Sequence, residues 1–182
     1  MSCYAINNFV QIGEWIIMQE KFMRRALEIA RQSLDVSGAR PYGAVVVRGD
    51  DIVGEGLNKA VTLHDPTSHG EVEAIRDACK RLATTDLSGC DLYTTAEPCS
   101  MCVATMYVTG IARLYYASAS PESAAFAARL AGIDPKWKRR MSNDELRCQV
   151  GLPHDQRAMP AEQLLAEEAH ELFDIYAKRL GA

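Results

Sequence analysis

The apolar positions of this chain change period several times, and each change marks an element. From Gln19 to about Leu34, the residues Phe22, Met23, Ala26, Leu27, Ile29, Ala30 and Leu34 recur at helical spacing. Arg24, Arg25, Glu28 and Arg31 occupy the opposite face, so the pattern predicts an amphipathic helix covering a sheet. Gly38 and Pro41 interrupt it. Ala44 to Val47 is a continuous apolar run, Asp50-Asp51 offers a turn, and Ile52 to Leu57 follows, which predicts a hairpin. His69 to Leu82 returns to the helical period through Val72, Ile75, Ala78, Cys79 and Leu82. Leu92 to Ala96 reads as a buried strand rich in β-forming residues. Pro98 opens a helix that Gly110 closes, and Ile111 to Ala117 reads as another strand.

Beyond this point the pattern is mostly helical. Pro121 to Leu130 is Ala-rich and favours helix. Arg147 to Leu152 predicts a short last strand. Residues 160–180 predict a strong amphipathic helix with Leu164, Leu165, Ala169, Leu172, Phe173, Tyr176 and Leu180 on one face, and Phe173 and Tyr176 are expected in the core. Strands alternating with helices predict an α/β fold, with helices on both faces of a mixed, about five-stranded sheet. No repeat or flexible linker divides the chain, so residues 19–182 are expected to form one domain, preceded by an irregular extension at 1–18.

Composition narrows the function. At 182 residues, 48% hydrophobic and 24% charged, the chain is an ordinary globular protein rather than a disordered or coiled-coil one. Its net charge of -4 gives no general attraction to phosphate backbones. Lys136 to Arg140 is the dense basic cluster. It reads as a solvated loop, the alternative being a grip on RNA phosphates with Trp137 stacking, and nucleic acid is not the expected partner. No apolar run approaches the ~20 residues that cross a bilayer, and the N-terminus lacks the basic and apolar regions of a signal peptide. A cytoplasmic protein is expected, so its six cysteines point to metal or reactive chemistry more than to disulfides.

The chemistry concentrates in His69-Gly70-Glu71 and in Pro98-Cys99-Ser100-Met101-Cys102. Cys99 and Cys102 lie three apart at a predicted helix start, so their sulfurs share a face, and the helix N-terminus favours thiolate over thiol. His69 opens its own helix, with Ser68 or Asp65 as candidate caps. If parallel strands feed both helices, their N-termini meet at one edge of the sheet, where open α/β sheets carry their sites. Two thiolates and an imidazole give Zn²⁺ three protein ligands and leave a fourth position for water, whose pKa such a site lowers from about 15.7 toward ~7. Glu71, two residues past the histidine, need not ligate and can carry the proton. A redox Cys pair is the competing reading, as is a structural zinc completed by Cys79, Cys90 or His64.

H-x-E followed by P-C-x-x-C is the signature of zinc deaminases, and the chain resembles the cytidine and nucleobase deaminase superfamily from Gln19 to Ala117. Within it, Asp65-Pro66-Thr67-Ser68-His69-Gly70-Glu71 and the run from Val72 to Cys79 are similar to guanine and guanosine deaminases, as is Pro41-Tyr42-Gly43-Ala44-Val45. Gly70, where that group carries Ala, is more like fungal cytosine deaminase. The resemblance implies a three-layer α/β/α sandwich and one zinc per chain on His69, Cys99 and Cys102, with Glu71 as catalytic proton carrier. It implies substrate contacts at Asn58, Ala44 and Asp134, and a homodimer. The expected substrate is a free nucleobase or nucleoside, guanine first, with cytosine, another small heterocycle or a tRNA adenosine as alternatives.

Overall fold

The computed structural model describes residues 19–138 and 140–181, so the expected 1–18 extension lies outside the described residues, as does Arg139 of the basic cluster. Helix α1 (residues 19–31) is followed by the hairpin of β1 (Arg40–Arg48) and β2 (Asp51–Asn58). Then come α2 (Gly70–Leu82), β3 (Cys90–Ala96), α3 (Ser100–Thr109), β4 (Arg113–Ser118) and α4 (Ser120–Ile133). Helices α5 (Asn143–Gly151) and α6 (Ala166–Arg179) complete the chain.

The sheet order is β2-β1-β3-β4, antiparallel at the first two pairings and parallel at the third. It is mixed, as expected, but the described residues form four strands and not five. The expected strand at Arg147–Leu152 is helical as far as Gly151, where α5 ends. Because β1 runs against both β2 and β3, those two strands run the same way, and each feeds a helix from the same end of the sheet.

Alternation along β1 explains the unbroken apolar run. Ala44 and Val46 pack with Val72, Ile75, Cys102 and Met106 of α2 and α3, whereas Val45 and Val47 pack with Phe22 and Ile29 of α1. Both sheet faces are covered, so both sets of side chains are apolar. The descent of α2 onto β2 requires glycine. A Cβ built on Gly56 would lie 2.1 Å from the Gly70 carbonyl oxygen. At the start of β1 the ladder is interrupted: Arg40 pairs with Asn58 and Gly43 with Leu57, leaving Pro41 and Tyr42 as extra residues. Proline has no N–H to give a ladder, and such irregularities re-aim side chains beside functional sites.

The chain divides into two compact units, the first running to Leu146 and the second from Arg147. In the second unit the C-terminal helix spans Ala166–Arg179, shorter than the expected 160–180, because Leu165 adopts a left-handed conformation before it. Phe173 and Tyr176, expected in the core, are 64% and 65% exposed. Among the described residues no helix is long and apolar enough to cross a membrane.

Candidate active site

The parallel course of β2 and β3 brings the first turns of α2 and α3 together. His69 is the N-cap of α2 and Cys99 the N-cap of α3, both in extended conformation, and neither side chain caps its own helix. The expected caps are otherwise engaged or placed. Asp65 accepts hydrogen bonds from the Thr67 N–H (2.8 Å) and hydroxyl (2.6 Å), and Ser68 is wholly buried. Pro98 stands just before the α3 cap, one step earlier than its expected place in the first turn. Cap side chains turned away from their helices are available to something else.

That something is visible in their geometry. The Cys99 and Cys102 sulfurs are 3.7 Å apart, and His69 Nδ1 lies 3.7 Å from the first and 3.5 Å from the second. A tetrahedral ion with bonds of about 2.3 Å to sulfur and 2.0–2.1 Å to nitrogen sets two sulfur ligands about 3.8 Å apart and sulfur and nitrogen about 3.6 Å apart. The triangle therefore fits zinc. Among the described residues the cluster comprises these three groups alone, so a structural fourth ligand from Cys79, Cys90 or His64 is not supplied. Cys90 instead lies buried in the core, where its sulfur accepts a bond from Arg48 Nε at 3.4 Å.

Glu71 sits one residue into α2, 6% exposed and outside the ligand triangle. Burial raises its pKa above the usual carboxylate value, against the opposing pull of a backbone N–H. The two sulfurs are hydrogen-bonded to each other. That bond holds Cys99 down to about 3, with His69 contributing, and the same bond together with burial pushes Cys102 up. A bound dication favours thiolate at both sulfurs.

Around the cluster lies a cavity of about 340 Å³ whose lining includes His69, Glu71, Cys99, Asn58, Arg40 and Tyr42. That size falls at the lower end of small-molecule pockets. Asn58 is 3% exposed, and its Oδ1 accepts the Ala60 N–H at 3.3 Å, so it both forms the turn after β2 and faces the pocket. Ala44 lies in the middle of β1, wholly buried between its partners Gly56 and Thr94. Asp134 follows the last turn of α4 and is not among the lining residues. Of the three expected substrate contacts, only Asn58 lines the cavity beside the metal cluster.

Two charged lining residues escaped the sequence reading. Glu97, between the end of β3 and Pro98, accepts the Ser120 backbone N–H at 2.8 Å and ties the start of α4 to the site. Arg40 was hidden by the interruption at Pro41 and Tyr42. The signal that would have found it is its pairing with Asn58 across the hairpin.

Residues 17–118 match the model of the cytidine and deoxycytidylate deaminase zinc-binding region. The chain belongs to this family. It is a zinc-dependent deaminase family enzyme, its metal held by His69, Cys99 and Cys102. The guanine deaminase of Bacillus subtilis (strain 168) is 34% identical over 157 residues, which are 86% of this chain and 92% of that protein. A crystal structure of the guanine deaminase from Bacillus subtilis superposes with a TM-score of 0.73 at 30% identity, covering 87% of this chain and 93% of that one. The tRNA-specific adenosine deaminase of Aquifex aeolicus (strain VF5) is 37% identical over 100 residues, 55% of this chain and 66% of the relative. A further related structure, a complex with 8-azaguanine, has a TM-score of 0.54 at 31% identity, covering 57% of this chain and 60% of that one.

Proposed function

We propose that this deaminase acts on free guanine, releasing ammonia and xanthine. The observation that carries the reading is one small cavity lined by His69 and Cys99 of the metal triangle, the buried Glu71 and the Asn58 amide. An amide both donates and accepts, so Asn58 can meet the lactam edge of a purine. Likeness to a guanine deaminase over 86% of the chain supports the same substrate, whereas likeness to the tRNA enzyme stops at 55%.

Zinc, when bound, supplies the Lewis acidity that makes a water nucleophilic at neutral pH. Glu71 takes the proton that this water loses as its oxygen bonds to the amine-bearing ring carbon. It delivers that proton to a ring nitrogen, then takes a second proton from the hydroxyl now on the carbon and passes it to the departing amine, so that the carbonyl forms as the carbon–nitrogen bond breaks and ammonia leaves. A carboxyl whose pKa burial raises can hold each proton between its uptake and its delivery. The backbone N–H groups at the starts of α2 and α3 add positive potential where negative charge develops.

We read the enzyme as a cytoplasmic homodimer. Exposed apolar residues support the association, Tyr107 and Val108 on α3 (82% and 85% exposed) beside Leu114 and Tyr116 of β4, and light scattering at twice the chain mass would check it. The deciding assay is ammonia release by zinc-loaded protein from guanine, guanosine, cytosine, cytidine, adenine and adenosine. Turnover of guanine is expected. Turnover of cytosine alone, or of none of the six by protein that holds zinc, would overturn the guanine reading.

A further inference from the structure

Arg40 and Asn58 are directly opposed across the β1–β2 hairpin, and both line the cavity that holds the metal cluster and Glu71. Opposed residues of an antiparallel pair place their Cβ atoms about 4.5–5.5 Å apart on one face, so the amide and the guanidinium stand side by side on the pocket wall. The guanidinium carbon lies 5.0 Å from the centroid of the Trp137 ring. A guanidinium over an aromatic face has a fixed plane, and with it a fixed direction for its fork of donors. Arg140 also lines the cavity but is exposed, and a solvated arginine is not oriented in this way.

We infer that Arg40 is a specificity residue that takes the O6/N7 edge of the purine while Asn58 meets the ring nearer the metal cluster. An arginine side chain offers five N–H donors and no acceptor, so it demands a pair of acceptors. Guanine presents that pair at O6 and N7, on the side of the base away from the amine-bearing carbon that must reach the metal. A purine with an amino group in place of O6 turns a donor toward the guanidinium instead. The pocket thus selects for the 6-oxo group as well as for the amine it removes. This inference rests on the guanine reading.

The test compares guanine with 2,6-diaminopurine, which keeps the C2 amine and N7 but exchanges O6 for an amine. Equilibrium affinities are measured by calorimetry in the zinc-loaded Glu71→Ala background, which keeps the metal but does not turn the bases over, with Arg40 either wild type or substituted, alongside KM and kcat for guanine on the active enzyme. The wild type is expected to bind guanine more tightly by roughly 5- to 150-fold, the range a bidentate arginine contact gives against the wrong edge. Arg40→Met should raise KM for guanine with kcat less affected and bring the two affinities together, at unchanged zinc content. Arg40→Lys keeps the charge but not the fork, so it should lose most of the discrimination too, and it guards against a methionine variant that fails to fold. A lysine or methionine variant that binds zinc and keeps the wild-type ratio would show Arg40 to be a packing partner of Trp137 and overturn the inference alone. Failure of the wild type to bind or turn over guanine would overturn the guanine reading and this inference with it.

Discussion

Glu71 illustrates how much a single residue's position decides. It follows the ligand His69 by two, and the helix turns its carboxyl into the buried cavity without placing it among the metal's ligands. Glu71→Ala should therefore lower turnover by roughly 10²–10⁴-fold while zinc content stays at one per chain. Loss of metal in that variant would reassign Glu71 to the metal site. Its neighbour teaches the opposite lesson. By sequence, Gly70 in place of Ala hints at a pyrimidine enzyme, but the structure gives it a packing cause. A Cβ on Gly70 would lie 2.7 Å from the Tyr42 carbonyl oxygen, and this contact is with backbone that cannot rotate away. Gly70→Ala should cost about 1–3 kcal/mol of stability, read as a lower denaturant midpoint. An unperturbed midpoint would return Gly70 to the question of substrate. The ligand triangle was legible because cysteine and histidine at those spacings do little else; Arg40 was not, because its meaning depends on a partner 18 positions away.

At the scale of elements, period and punctuation located both strands of the hairpin, the two helices of the site and the strands that flank them, with ends displaced by at most four residues. They failed at Arg147–Leu152, where an alternation of short length looked like a strand. The decisive signal lay just upstream: Ser142 N–H donates to Glu145 Oε2 at 2.7 Å and Glu145 N–H to Ser142 Oγ at 3.1 Å, a reciprocal cap that starts a helix. Contacts between elements are less legible still, and Arg25 with Glu55 is the instructive case. The guanidinium of α1 reaches the carboxylate of β2 through Nε and Nη2, at 2.7 and 2.9 Å, and holds the carboxyl below its ordinary pKa. The pair's stabilisation is thus complete above the usual carboxylate pKa of about 4.3 and is lost as pH falls through the lower, folded-state value. Both side chains are partly exposed, so the pair contributes at most about 1 kcal/mol. Glu55→Gln should lower stability at pH 7 by up to that amount and narrow the gap from wild type under acid. A gap that widens under acid would mean that the pair does not stabilise the fold.

The molecule as a whole is organised around two strand-to-helix units that meet at their helix starts, and there the metal links parts of the chain 30 residues apart. The sequence disclosed the units through their apolar periods. It did not disclose that Phe173 and Tyr176 would stand in solvent, because an amphipathic stripe tells which face seeks apolar cover but not where that cover comes from. Without the ion, the α2 and α3 starts keep two cap residues that do not cap, two sulfurs held against each other and converging helix dipoles. Zinc answers all three at once, so its removal should be felt throughout the fold. A ligand present at 1,000 times its Kd adds about 4.1 kcal/mol to a native state that alone binds it. For a chain of this size 1 kcal/mol moves Tm by about 2–4 °C, so a chelator should lower Tm by roughly 8–16 °C, and stoichiometric zinc should restore it. The loss should shrink at low pH, where protons compete for Cys99, Cys102 and His69 and the metal, weakly held, contributes less. Hydrogen exchange gives the local form of the same expectation: chelation should speed exchange at the first turns of α2 and α3 more than in α1. A Tm indifferent to chelation, with zinc shown to have left, would mean that the sheet and its glycine contacts hold the two helix starts together unaided.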